Sequence, residues 1–164
     1  MKKILFILFL LLNLLLLPAN INIHAVSINQ PTKIIFSNKI ILENGDYIIE
    51  EIVEITNSIT TFSETYNKTG AKRVTKYDSN DNISWIYILN ASFTITTDVS
   101  SQCTSATYST TINDSNWKFS NGNAYYQNNI AYGTGVFKHK VLFITTQNYN
   151  IDLSLTCDLN GNLT

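Results

Sequence analysis

The stretch SWIYILNASFTIT, residues 84–96, alternates apolar and polar side chains almost without interruption. Trp85, Tyr87, Leu89, Ala91, Phe93 and Ile95 share one side of an extended chain. Ser84, Asn90, Ser92 and Thr94 take the other, because successive side chains of a strand point to opposite faces. A strand this long must bury its apolar face, so the segment belongs to a sheet with a core on one side.

Working outward, AKRVTKY (71–77) precedes it across DSNDN (78–82), residues that tolerate left-handed backbone angles and bond their own main chain, so the two form a hairpin. Further upstream, KIILENGDYIIEEIVEI (39–55) places Asn44-Gly45 between apolar runs, which predicts a second hairpin with a type I′ turn. Tyr47, Ile49, Val53 and Ile55 are expected on its apolar face, with Glu50 and Glu54 toward solvent. TNSITTFSETYNKTG (56–70) is rich in Ser and Thr and lacks period, and marks the internal boundary. Downstream, strands are predicted over 103–112, 117–126, 130–138, 141–146 and 150–157. Short strands at this spacing indicate an all-β chain folded as an antiparallel sandwich.

The N-terminus reads MKKILFILFLLLNLLLLPANINIHA, with two lysines, an apolar run from Ile4 to Leu17 and small Ala25 at the end. This is the pattern of a signal peptide, residues 1–25. The run is broken by Asn13 and falls short of the roughly 20 residues of a membrane-spanning helix, so no stable span is expected once the leader is removed. The expected organisation is a signal helix, a β-hairpin region and Ser/Thr-rich connection over 26–65, and a β-sandwich domain over 66–164, secreted or held at the cell surface. Twelve acidic residues against nine Lys and Arg then remain, a charge of about −3 with no basic cluster, which excludes nucleic acid as a partner.

The chain has two cysteines, Cys103 and Cys157. In an oxidising compartment such a pair has one partner each, and a bridge closing about 55 residues contributes about 4 kcal/mol in the chain-entropy account. The expectation is a Cys103–Cys157 disulfide, with Cys157 on the inward face of its strand. The competing reading, a catalytic thiol, would have to draw its base from His139, which lies between two lysines. With Trp117 between them, the cysteines resemble the Cys, Trp, Cys spacing of immunoglobulin domains. The likeness is loose: Leu155 replaces the corner tyrosine, and seven residues follow Cys157.

Read together, GAKRVTKYDSNDNISWIYILNASFTI, CTSATYSTTINDSNW and LSLTCDLNGNLT resemble a group of small exported proteins of Gram-positive bacteria with a C-terminal immunoglobulin-like β-sandwich. The match covers about residues 70–164. Asp81 stands in the Asp-rich turn where that group has glycine. The resemblance implies a secreted sandwich with one disulfide and implies no activity.

Residues for chemistry are sparse. Asp78, Asn80 and Asn82 occupy the first three ligand positions of a calcium loop, but Ile83 and Leu89 stand where such a loop needs glycine and glutamate, so a hairpin turn is preferred. Glu50, Glu51 and Glu54 split between two strand faces, which reads as a solvated strand rather than a pair of catalytic carboxylates. No catalytic residue, metal or cofactor is expected. NGNAYYQNNIAYGTG (121–135) is the best binding candidate, since exposed tyrosines beside amides suit flat glycan or protein surfaces. Of Tyr125 and Tyr126 one is expected in the core and one exposed, with Tyr132 joining across the turn. The leading expectation is a non-catalytic extracellular binding module for a glycan or protein. A secreted toxin or antimicrobial factor is the alternative, and a carboxylate-dependent wall hydrolase comes last.

Overall fold

The computed structural model describes residues 32–55 and 65–164. The expected leader lies outside the described residues, as do residues 56–64 of the connection. The described chain forms eight antiparallel strands: β1 (Thr32–Ile41), β2 (Tyr47–Ile55), β3 (Thr65–Tyr77), β4 (Ile83–Thr96), β5 (Ser100–Ile112), β6 (Trp117–Gln127), β7 (Ile130–Val141) and β8 (Ile144–Thr156). They build two sheets, of order β1-β2-β3-β4-β5 and β6-β7-β8, packed on one core. Each strand pairs only with its chain neighbours. This sequential order differs from the Greek-key arrangement of immunoglobulin sheets, so the immunoglobulin-like topology is not the one found.

β4 carries the core as its alternation requires. Trp85, Tyr87, Leu89, Phe93 and Ile95 are wholly buried and Ala91 nearly so. Trp85 meets one ring from each strand of the smaller sheet: Phe137 of β7 stacked at 4.0 Å, Tyr149 of β8 at 5.2 Å and Trp117 of β6 at 6.0 Å. Tyr87 crosses the interior and donates its hydroxyl to the Thr134 carbonyl at 3.1 Å. Burial, and then the neighbouring Tyr108, push its phenol up to about 12. Room for this ring comes from Gly133 and Gly135, where a Cβ would lie 2.9 Å from Tyr87 Oη and 3.1 Å from Tyr87 Cε2.

Residues 32–55 continue the larger sheet, because β2 pairs with β3 along its full length. The inward face of β2 is the reverse of the expected one. Ile48 and Ile52 enter the core beside Val74, while Tyr47 stacks on Tyr77 at 4.7 Å on the other side. The aromatic ring of Tyr47 made its face look like the buried one, but its partners are a tyrosine and the Lys39 ammonium, 3.5 Å from its centre.

Three connections share one design. In Leu42–Asp46, Asp78–Asn82 and Asp158–Asn162 the fourth residue bonds back to the first carbonyl and sits at positive φ: Gly45 at 84°, Asp81 at 64°, Gly161 at 80°. This is a type I turn closed by a left-handed residue, not the predicted type I′, in which two central residues take positive φ. The strands predicted over 141–146 and 150–157 are one strand, β8. The turn falls instead inside VLFI, at Leu142 and Phe143.

The expected disulfide is not present. Cys103 and Cys157 are both buried free thiols. They approach from different sheets, where the β6–β7 turn receives the backbone N–H of Cys103 on the Asn128 carbonyl at 2.8 Å and that of Cys157 on the Asn129 carbonyl at 3.1 Å. Cys103 Sγ donates to the Ser105 carbonyl at 3.3 Å, and Cys157 Sγ faces the Asp158 carbonyl at 3.7 Å. Trp117 does not cover this pair. It lies at the opposite end of β6, against Trp85, His139 and Lys76.

Candidate functional site

The outer face of the smaller sheet is built from three strands in a simple register. Across it run Asn121, Val136 and Asn150, then Asn123, Thr134 and Asp152, then Tyr125, Tyr132 and Ser154. Neighbouring strands stand about 4.8 Å apart, so each row is about 10 Å wide. The inward positions between them, Ala131, Phe137, Ile151, Leu153 and Leu155, are fixed in the core and hold the face rigid from beneath.

Tyr125 and Tyr132 stack at 4.9 Å with their planes 16° apart, and Tyr125 is 49% exposed. Beside them lies a depression of about 230 Å³ lined by Asn121, Asn123, Thr134, Val136 and Asn150. Amide and hydroxyl groups there can both donate and accept hydrogen bonds, and Asp152 adds an exposed carboxylate to the middle row. An apolar stack beside such a polar floor is suited to a ligand with one hydrophobic face and a rim of hydroxyls.

The structure brings Tyr125 and Tyr132 together and leaves Tyr126 out. Tyr126 pairs with Ala131 in the inward register, yet it is 50% exposed. The expectation that one of Tyr125 and Tyr126 is core is therefore corrected: both are half exposed, on opposite faces. The asparagines of the floor were visible in the sequence only as turn residues. Their shared direction follows from a register that the Phe119/Asn121 irregularity shifts by one residue.

Asp78, Asn80 and Asn82 do come together, as a turn. Asp78 Oδ1 accepts the backbone N–H groups of Asn80 and Asn82 at 2.9 and 2.8 Å, and its Oδ2 accepts Asn82 Nδ2 at 3.0 Å. Hydrogen bonds from Asn82 hold the carboxyl below its ordinary value. Donors thus occupy the oxygens that a cation would use. Asp158, Asn160 and Asn162 repeat the arrangement.

The acidic run is divided: Glu51 pairs with Arg73 at 2.7 Å and Glu54 with Lys68 at 2.8 Å, on opposite faces of β2. His139 contacts Trp117 and bonds Thr146 at 2.8 Å. About ten residues of extended strand, roughly 33 Å, separate it from the cysteines. Burial pushes both thiols above their ordinary value, so neither has a base or a lowered pKa to make it a nucleophile. Among the described residues no group of three or more His, Cys, Asp and Glu side chains could hold a metal ion.

Comparison of the chain with protein-family models, curated proteins and solved structures finds no match to any of them.

Proposed function

We propose that this protein is an exported, non-catalytic binding module that lays the outer face of its smaller sheet against a glycan chain. One observation carries the reading: the stacked Tyr125–Tyr132 pair beside a depression floored by Asn121, Asn123 and Asn150. Sugar rings present flat C–H faces and equatorial hydroxyls, which match an aromatic stack and neighbouring amides respectively. The signal-like N-terminus and the resemblance to small exported Gram-positive proteins support an extracellular setting.

The test is isothermal titration with soluble cell-wall polysaccharide and with chitin and xylan oligosaccharides. Tyr125→Ala and Tyr132→Ala should each weaken binding by about 1–2 kcal/mol while the melting temperature stays nearly unchanged. Affinity that falls only in proportion to the folded fraction, or a chain that binds none of these glycans, removes the reading. The toxin alternative draws on a separate observation, an exposed apolar hairpin tip.

A further inference from the structure

The β7–β8 hairpin ends in four consecutive apolar residues, Val141, Leu142, Phe143 and Ile144, which are 51, 87, 98 and 70% exposed. Its last backbone tie to the rest of the fold is the Lys140 N–H on the carbonyl of Asn116, in the β5–β6 turn, at 2.8 Å, and every residue from Lys140 to Asn148 is exposed. The tip therefore stands clear of the sandwich. Leu142 holds a φ of 58°, a left-handed conformation that a branched side chain adopts poorly. Glycine at position 142, the one turn residue at positive φ, would relieve the backbone and hide nothing from solvent. A folded chain gains nothing from Leu142 and Phe143 at this place, so their use lies outside the fold.

We propose that this tip inserts into the surface of an anionic phospholipid bilayer. A convex point that no other described residue covers has no cleft of its own to match a folded partner, whereas fluid hydrocarbon accepts it without shape matching. The charge around its base agrees: Lys138 and Lys140 lie on β7, and Lys118 stands directly across from Lys138 on β6. These three ammonium groups share the outward side of the smaller sheet, behind the four apolar side chains, the order of charge and hydrocarbon across a lipid headgroup layer. Of the acidic groups in turns at this end, Asp46 is paired with Lys76, Asp78 and Asp114 accept backbone N–H groups of their own turns, and Asp81 accepts the Tyr47 hydroxyl at 2.7 Å, while Glu43 is exposed. The three lysines lie on the outer face of the smaller sheet at the end away from Tyr125 and Tyr132, so the attachment uses the tip end of that face and places the chain on the membrane surface rather than across it.

Phe143→Trp in the full-length chain supplies the probe, because Trp85 and Trp117 are buried and their emission subtracts out. With phosphatidylglycerol/phosphatidylcholine vesicles the added emission should shift to the blue and be quenched by brominated acyl chains. Leu142→Asp in that background should weaken partitioning about tenfold or more, the loss of one buried apolar side chain. Lys138→Glu with Lys140→Glu should reduce it on the anionic vesicles and leave pure phosphatidylcholine unaffected. The readout is the ring at position 143 itself, so attachment through another part of the chain does not mimic it, and Tyr125→Ala should leave the signal intact. Unchanged emission with vesicles, a blue shift that grows with protein concentration in their absence, or undiminished partitioning of Leu142→Asp overturns the proposal.

Discussion

The ammonium of Lys76 lies 5.1 Å from the centre of the Trp117 ring, spanning the space between the two sheets. Its side chain is 1% exposed, and its charge is met by the Asp46 carboxylate, held in place by the β1–β2 turn. A charge this deep depends on its partner. Asp46→Asn should lower stability by about 3–5 kcal/mol in urea unfolding, because it strands the ammonium. Lys76→Met should cost far less, since it removes the charge and keeps the volume. Equal losses for the two would mean that packing around Asp46, and not the pairing, is what matters.

Acid should destabilise the fold through the same carboxyl. Burial pushes Asp46 up, but hydrogen bonds from Lys76 and Asn44 and the Lys76 charge together hold it below its ordinary value. A group with a lowered folded pKa contributes stability that is complete above its unfolded pKa, about 3.9, and is lost as pH falls through the folded value. Asp78 and Asp158 act in the same direction through Asn82 and Asn162. Melting temperatures should stay level from pH 7 to about 5 and decline below about 4. Asp46→Asn should make that decline shallower; a slope unaltered by the substitution would assign the acid response elsewhere.

Asp81 is the exception among the three matching turns, an aspartate at a φ of 64° where Gly45 and Gly161 occupy the equivalent places. Asp81→Gly relieves that backbone, worth about 1 kcal/mol, and gives up the bond from Tyr47. The melting temperature should rise by a few degrees. The Tyr47 phenol, pushed up to about 12 chiefly by its hydrogen bond to Asp81, should return toward its ordinary value in a spectrophotometric titration. A lower melting temperature would show that the Tyr47 bond outweighs the strain.

Gly133 leaves space for Tyr87. In Gly133→Ala the added methyl would meet Tyr87 Oη at 2.9 Å and Leu89 Cδ1 at 3.1 Å, with an expected loss of about 1–3 kcal/mol. If the Tyr125 face binds glycan as proposed, affinity per folded molecule should not change, because the methyl points away from that face. A neutral result would mean that β7 can lift off Tyr87 without penalty.

Both thiols should be silent toward a thiol reagent in the native protein, being buried with raised pKa values. Unfolding in the absence of reductant should release two reactive groups. Finding none would restore the disulfide.

β4 was legible from the sequence because every second residue is apolar and both faces of its pattern agree. β2 was not, since IIEEIVEI offers apolar residues to either side, and the winning face was set by Val74 and the smaller sheet, distant in the chain. VLFI opens the strand predicted over 141–146, because a turn without turn residues gives no local sign of itself. That Tyr132 joins one of Tyr125 and Tyr126 across QNN was legible, but not which of the two, since the choice follows from the strand register. The amide floor beside them needed the bulge at Phe119/Asn121, an irregularity that no periodicity announces. The cysteines invited pairing by compartment and count, and the backbone carbonyls that each thiol meets instead are not placed by sequence.

Strictly sequential strand order also sets how the chain reaches this state. The most widely separated partners in any ladder, Thr65 and Thr96, are 31 residues apart, so each sheet assembles by zipping successive hairpins with little loop-closure entropy to overcome. What remains is nonlocal: docking one finished meander on the other, with Trp85 meeting a ring from all three strands of its counterpart. Folding kinetics should therefore separate into fast hairpin growth and a slower collapse of sheet on sheet, and Trp85 fluorescence reports the second event.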